Sequence, residues 1–471
     1  MNTTLTPSDK FSLPDQLIRL RQACLSHPMP SLTERRTRLT QLKGALLAHK
    51  QTLCDALALD YGQRSGYDSL IADILPCVMQ INYSLKRLKG WMRPERRHPG
   101  LLLAPARVEV HYQPLGVVGI MVPWNFPVML SLGPLIGAIG AGNRAMIKLS
   151  EFTPRTNAVL RTLLGEVFAD DEVMVIEGDA ELAAAFSALP FDHLVFTGST
   201  AVGRRVMAAA ATPLTLELGG KSPCLIAPDM PMALAVERMI FGKSLNAGQI
   251  CVAPDYVLLP RGQEQAFVEA YRSHFTRLYP KGLASPDYGS VVNAQQYARL
   301  TAWLDEARQA GAQVHPCTSP ARDDSAHRLA PHLLTEVPDH CQVMQQEIFG
   351  PLLPIVPYDS LDEAIAYVAA RPRPLALYLM SLDETLQRRL IRETHAGGMA
   401  INESLFQAAA DDAPFGGIGP SGMGHYHGRE GFLTFSKAKT VLRRGRFSPG
   451  GLIHPPYRRW YQRLMMALFL R

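Results

Sequence analysis

Val117-Val118-Gly119-Ile120-Met121-Val122, followed by Pro123-Trp124-Asn125 and a Gly- and Ala-rich run over 126–141, decides the fold of this chain. Six apolar residues bounded by a proline read as a buried strand, and the run after them as a helix. The unit then repeats. Residues 145–149 read as a second strand, and Thr153-Pro154 opens a helix with a capping residue and a proline at its first position. Val173–Ile176, a helix near 181–189 and His193–Thr197 continue the series. Alternation of this kind predicts a parallel sheet with helices on both faces, where ligands bind beyond the carboxyl ends of the strands. Those ends are Pro123-Trp124-Asn125, Lys148 to Glu151 and Gly198 to Gly203.

Outward from this core, Leu17, Leu20, Cys24, Leu39, Leu42, Leu46 and Leu47 recur at three- and four-residue spacing, which predicts covering helices over about 14–88. A Pro- and Arg-rich break at 92–100 leads into 107–112, where polar and apolar residues alternate as in a half-exposed strand. A second βα-rich region runs over about 219–400, with helices near 263–279 and 294–310 and strands near 312–315 and 352–356. The stretch from Pro414 to Gly424 carries five glycines beside Phe415 and Met423, the pattern of a loop packed closely on backbone or ligand.

Length and composition narrow the function classes. A chain of 471 residues exceeds one minimal core and implies two large domains. Residues 1–10 are polar, without the apolar core of a secretory signal, which predicts a cytoplasmic protein. Seven irregularly spaced cysteines, with no CxxC and no Cys/His cluster, fit reduced thiols and no metal site. From Lys437 to Arg471 there are nine Lys or Arg and no Asp or Glu, so the rest of the chain is slightly acidic. A basic excess confined to one end, without a nucleic-acid fold signature, is no argument for nucleic acid as a partner, and none is expected.

One cysteine stands apart. In Asn246-Ala247-Gly248-Gln249-Ile250-Cys251-Val252-Ala253-Pro254-Asp255-Tyr256, Gly248 allows a tight turn and Pro254 ends the segment, so Cys251 is either a small core residue or a presented nucleophile. Gly198-Ser199-Thr200-Ala201-Val202-Gly203 follows a strand and opens a helix, a place where backbone N–H groups favour phosphate, although it also fits an ordinary tight turn. Glu217 points away from Leu214, Leu216 and Leu218 and precedes Gly219-Gly220; desolvated there, it would have the raised pKa of a general base. Asn125 by itself reads as a cap for the helix that follows it.

Taken together, Pro123-Trp124-Asn125, Lys148-Leu149-Ser150-Glu151, Phe196-Thr197-Gly198-Ser199-Thr200, Glu217-Leu218-Gly219-Gly220-Lys221, Gly248-Gln249-Ile250-Cys251 and Glu347-Ile348-Phe349-Gly350-Pro351 resemble the NAD(P)-dependent aldehyde dehydrogenases in order and spacing, over roughly 30–440. Cys251 to Tyr256 and Ser421 to Gly428 resemble the class 3 branch. His427 to Phe432 and His454-Pro455-Pro456-Tyr457 are similar to bacterial coniferyl aldehyde dehydrogenases. The resemblance implies an α/β fold: a Rossmann-type NAD domain (1–92 and 114–218), an α/β catalytic domain (219–405), a small bridging β-element (93–113 and 430–445) and a basic apolar tail (446–471). It implies Cys251 as nucleophile, Glu217 as base for hydrolysis and Asn125 as oxyanion donor. It also implies that NAD rests on Glu347 and Phe349 at one ribose, Lys148 and Glu151 at the other, and Ser199 and Val202 at the pyrophosphate. It further implies that Val122, Pro123, Trp124, Gly198, Gly203, Leu218 and Gly219 line the same cofactor. Glu151 disfavours NADP because a carboxylate repels a 2′-phosphate.

Two residues depart from the family pattern. Leu149 replaces a usual proline, which predicts a looser ribose loop, and Ile250 beside the cysteine predicts a narrower substrate mouth. The expected activity is oxidation of an apolar or aromatic aldehyde such as coniferaldehyde by a homodimer. The alternatives are a long-chain fatty aldehyde or a catalytically silent relative. His425 and His427 are expected to make local hydrogen bonds, and Lys221 to pair locally. The tail, with its apolar run Leu464 to Leu470, is expected to dock on its own protein or a second subunit, in preference to a membrane surface.

Overall fold

The chain in its computed structural model is described over residues 12–101, 103–447 and 449–470, so the N-terminal stretch 1–10 lies outside the described residues. Two sheets organise it. The first has six strands in the order Gly422–Met423, Leu214–Glu217, His193–Thr197, Val117–Met121, Arg144–Lys148 and Val173–Ile176. All pairs are parallel except the edge pair, where Gly422 faces Glu217 and Met423 faces Leu216. Val117–Met121 is buried at every residue, as its unbroken apolar run requires at the centre of a doubly covered sheet.

The covering helices are Leu13–Ser26, Leu32–Ala48, Lys50–Tyr61 and Leu75–Trp91, with Leu17, Leu20, Leu39, Leu42 and Leu46 buried as their spacing predicts. The helix after the central strand runs Pro127–Ala141 and ends at Gly142 in the left-handed conformation. Asp73 caps it from outside: one carboxylate oxygen accepts from the N–H groups of Val128 and Met129 at 3.1 and 3.2 Å. The other accepts from Arg64 at 2.6 Å, and both side chains are fully buried.

The second sheet has seven strands in the order Gln313–Pro316, His332–Thr335, Leu352–Tyr358, Tyr256–Pro260, Pro223–Ile226, Ala376–Met380 and Gly398–Ile401. It is parallel except at its first pair. A third, antiparallel sheet joins Glu95–Arg97, Arg107–Pro114 and Ser436–Arg443, bringing the expected half-exposed strand together with the start of the basic tail. The glycine-rich stretch is packed as expected: Gly417 lies against the backbone of Ser421 and Gly422, and Gly416 against that of Gly424 and His425.

Three expectations change. Leu149 does not loosen its loop, because it is fully buried in the core and its N–H donates to Ile176 at 3.0 Å, a bond that proline could not make. His427 is buried by stacking on Phe415 (5.3 Å between ring centres), and its Nε2 has no hydrogen-bond partner. Among the described residues the tail's apolar stripe is not packed on the body of its own chain: Trp460, Leu464 and Leu468 are exposed. Its helix Trp460–Phe469 buries only Gln462 and packs on the adjacent turn Pro449–Ile453. Lys221 pairs with Asp255 as expected.

Removing one partner of a buried ion pair strands the other charge. Asp73→Ala is therefore expected to destabilise the fold by about 3–5 kcal/mol, read as a lowered urea midpoint. An unchanged midpoint would show that Arg64 is compensated elsewhere.

Candidate active site

The site forms where the carboxyl ends of the first sheet's strands meet the amino ends of the second sheet's, and its most constrained piece is the loop carrying Cys251. Helix Met232–Ser244 runs into Leu245–Gly248, where Asn246 (φ 49°), Ala247 (φ 51°) and Gly248 (φ 73°) are all left-handed. Two non-glycine residues in that region cost energy, and the surroundings compensate. Gln249 does much of this: its side-chain amide donates to Asn246 O (2.8 Å) and Ser290 O (3.1 Å) and accepts from Val292 N–H (3.0 Å). A Cβ on Gly248 would lie 2.7 Å from the Gly350 carbonyl, so only glycine fits.

Asn125 is clamped to this loop. Its carbonyl accepts from Arg64 (2.8 Å), Tyr61 (3.0 Å) and Asn246 (3.1 Å), while its side-chain amide donates to Gln249 O at 3.2 Å. Phe126, not Asn125, occupies the N-cap position of the following helix, so the cap reading of Asn125 does not hold. The amide is left to point at the loop two residues before Cys251.

Cys251 is half-buried. Burial pushes its thiol up to about 12, and the nearby Glu347 and Glu217 carboxylates add to the shift; the Cys251 and Val252 N–H groups face the sulfur and oppose it. Glu217, at the end of its strand, is buried with neither carboxylate oxygen hydrogen-bonded, and burial holds its pKa well above the usual carboxylate range. The desolvation expected of Glu217 is thus present, and Gly422 pairs with it at that edge of the sheet. Glu347 is pushed up to about 8, first by burial and then by Asp255. Its carboxylate presses on Gly219, where a Cβ would lie 2.1 Å from Oε1.

The remaining candidates line a path across the strand ends of the first sheet. Val122 is buried, and its N–H donates to Lys148 O at 3.0 Å. Next to Pro123, Trp124 meets Phe349 edge-on at 5.3 Å, with Phe349 itself left-handed (φ 47°). Lys148 is buried and reaches the exposed Glu151 at 3.1 Å. Ser199 caps helix Thr200–Ala209 by accepting from Val202 N–H, with Val202 exposed beside it. Gly203 packs on Leu218, and Gly198 on the Phe196 ring. The open N-terminal N–H groups of this helix, the two free oxygens of Glu217 and the free Oε1 of Glu347 are groups that a dinucleotide's phosphates, its ribose hydroxyls and a reacting water would satisfy.

Sequence reading missed the second tier. Tyr61 and Arg64 hold Asn125 from the helical cover, and Tyr378 donates its hydroxyl to Val252 O. Tyr426 is fully buried, with its hydroxyl pushed up first by burial and then by Glu217 and Cys251. Only Asn246-Ala247-Gly248 carried a local signal, a small polar turn ahead of the cysteine. Ile250 is buried in the same apolar cluster as Val252 and Tyr378.

The pattern of the Aldehyde dehydrogenase family matches residues 25–441. The chain is 50% identical over 456 residues to a probable coniferyl aldehyde dehydrogenase of Pseudomonas aeruginosa, covering 96% of this chain and 95% of that one. Among solved structures it is similar to the substrate-bound state of Staphylococcus aureus AldH, with a TM-score of 0.92 and 36% identity over 98% of this chain and all of that one. It is also similar to a Mycobacterium tuberculosis aldehyde dehydrogenase complexed with NAD+, with a TM-score of 0.82 and 28% identity over 92% and 90% of the two chains.

In the free protein, carboxamidomethylation of Cys251 by iodoacetamide is expected to rise about tenfold per pH unit from pH 7 to 10 without levelling off, since only the thiolate reacts. Glu347 gains its charge only above about pH 8, so Glu347→Gln is expected to outpace the parent protein only above that pH. A plateau near pH 7, absent in Cys251→Ala, would contradict the raised thiol.

Proposed function

Because this chain belongs to the aldehyde dehydrogenase family, we propose that it oxidises an aromatic aldehyde, coniferaldehyde or a near relative, to the carboxylic acid with NAD. The observation that carries the reading is the convergence on one loop of a nucleophile, a carboxylate and an amide donor. The Cys251 thiol feels the charge of Glu217 and Glu347, and Asn125 is hydrogen-bonded to the same loop.

Cys251 Sγ, once deprotonated, adds to the aldehyde carbon, and the carbonyl π-pair moves onto oxygen. That oxyanion is met by the Asn125 amide, which exchanges the Gln249 carbonyl for it, and by the Cys251 N–H. The NAD that Glu347, Trp124 and Phe349 would hold would supply the hydride acceptor for the aldehydic hydrogen, and Cys251 would keep the acyl group as a thioester. Glu217 then takes a proton from water, whose oxygen attacks the thioester carbon; the C–S bond breaks, and acid and thiol are released. Burial keeps Glu217 free of competing partners, so its lone pairs remain available to that water.

Glu347 is suited to the ribose next to the nicotinamide, with Gly219 giving the closest approach, and Trp124 and Phe349 form the apolar wall beside it. Thr200–Ala209 offers its N-terminus to the pyrophosphate through Ser199 and Val202, packed by Gly198, Gly203 and Leu218. Lys148 and Glu151 receive the adenosine ribose. Glu151 supports NAD over NADP, as does the NAD+ complex of the M. tuberculosis relative. The Pseudomonas relative supports the aromatic substrate. We assign residues 1–92 and 114–218 to cofactor binding, 219–405 to chemistry, 93–113 and 430–445 to contact between two subunits, and 446–471 to a tail. The free cysteines fit a reducing cytoplasm.

NADH formation with coniferaldehyde, benzaldehyde and decanal, against Cys251→Ala, tests the reading. Coniferaldehyde is expected to give the highest kcat/KM, and no turnover with any aldehyde would overturn the activity. Glu217→Gln is expected to keep a first-turnover burst of NADH while steady turnover falls about 10²–10⁴-fold; joint loss of burst and turnover would reassign that carboxylate. Asn125→Ala is expected to lower kcat by about 10²–10³-fold, with little change in NAD affinity by fluorescence titration.

A further inference from the structure

The C-terminal helix has its polarity turned inside out. In Trp460–Phe469 the buried residue is Gln462, whose amide donates to Leu452 O and His454 O, both at 3.0 Å, and whose oxygen accepts from Arg459 N–H at 3.2 Å. Trp460, Leu464 and Leu468 follow one another at four-residue spacing and so form one stripe, and they are 76%, 56% and 62% exposed. A helix that docks on its own protein buries its apolar stripe and turns its amides to water. This one clamps its amide to the preceding turn and presents tryptophan and leucine outward.

Charge indicates what covers the stripe. Arg458 and Arg459 precede it and Arg463 lies one residue before Leu464. No Asp or Glu occurs anywhere from Lys437 to Arg471. We propose that this helix is a docking face for the surface of an anionic lipid bilayer. It would lie in the interface plane, with Trp460, Leu464 and Leu468 among the upper acyl carbons and the arginines at the phosphates. Tryptophan at the head of the stripe suits the headgroup boundary. At ten residues the helix is too short to cross, and no described helix is long and apolar enough to do so. The attachment is therefore peripheral and reversible. It holds whichever aldehyde the enzyme takes.

The test uses the full chain with vesicles of phosphatidylcholine alone or mixed with phosphatidylglycerol, read by co-sedimentation and by tryptophan emission. The protein is expected to pellet with the anionic vesicles, to be released by high salt, and to show a blue shift of tryptophan emission that Trp460→Phe removes. Trp460→Ser/Leu464→Ser/Leu468→Ser and Arg458→Glu/Arg459→Glu/Arg463→Glu are each expected to lower the partition constant by at least about tenfold, with aldehyde oxidation in solution unchanged. Equal partition of parent and variants, or no pelleting with any vesicle, overturns the proposal. So does loss of subunit association in the stripe variant without vesicle binding by the parent, because the occupant would then be a second copy of the chain.

Discussion

A buried ion pair behind Asn125 holds the site in place. Arg64 and Asp73 are both excluded from water, and each would be costly alone. Asp73 satisfies the first N–H groups of Pro127–Ala141, and Arg64 satisfies the carbonyl of Asn125, just before that helix. The pair thus fixes both where the helix begins and where the Asn125 amide points. Because the guanidinium also lies over the rings of Tyr61 and Phe126, at 4.8 and 5.1 Å, its orientation is locked by packing as well as by charge.

From that anchor the constraint passes to the cysteine loop. Asn246 donates to the Asn125 carbonyl and Asn125 to the Gln249 carbonyl, so the strand end of one sheet and the left-handed turn ahead of the other are tied by reciprocal bonds. The strained turn is affordable only because Gln249 is bonded at every polar atom. Strain and pre-organisation are the same feature here: the loop can adopt one conformation, and Cys251 sits at its end.

Burial sets the chemistry of what the loop presents. Cys251, Glu217 and Glu347 are three acids in one low-dielectric pocket, and each is pushed toward its neutral form, chiefly by loss of water. Three fixed charges there would repel one another and any anionic ligand. Burial lessens that repulsion, and the protons of these groups can move when the environment changes.

Much of this was legible in the chain itself. The apolar run at Val117 dictates a central buried strand, the repeating βα pattern dictates a parallel sheet, and six ordered motifs point to Cys251, Glu217 and Asn125, because short-range pattern and motif spacing survive in one dimension. Other features needed the tertiary structure. That Leu149 holds a sheet bond, that Asn125 leaves the cap position, that His427 is stacked without a hydrogen bond, and that Tyr61, Arg64 and Tyr378 brace the loop all depend on residues distant in sequence. The same holds for the tail: its composition was plain, but whether its apolar stripe faced protein or water was decided only when Gln462 found its partners in the turn before it, since a helix of nearly uniform apolarity carries no period to say which face is inside.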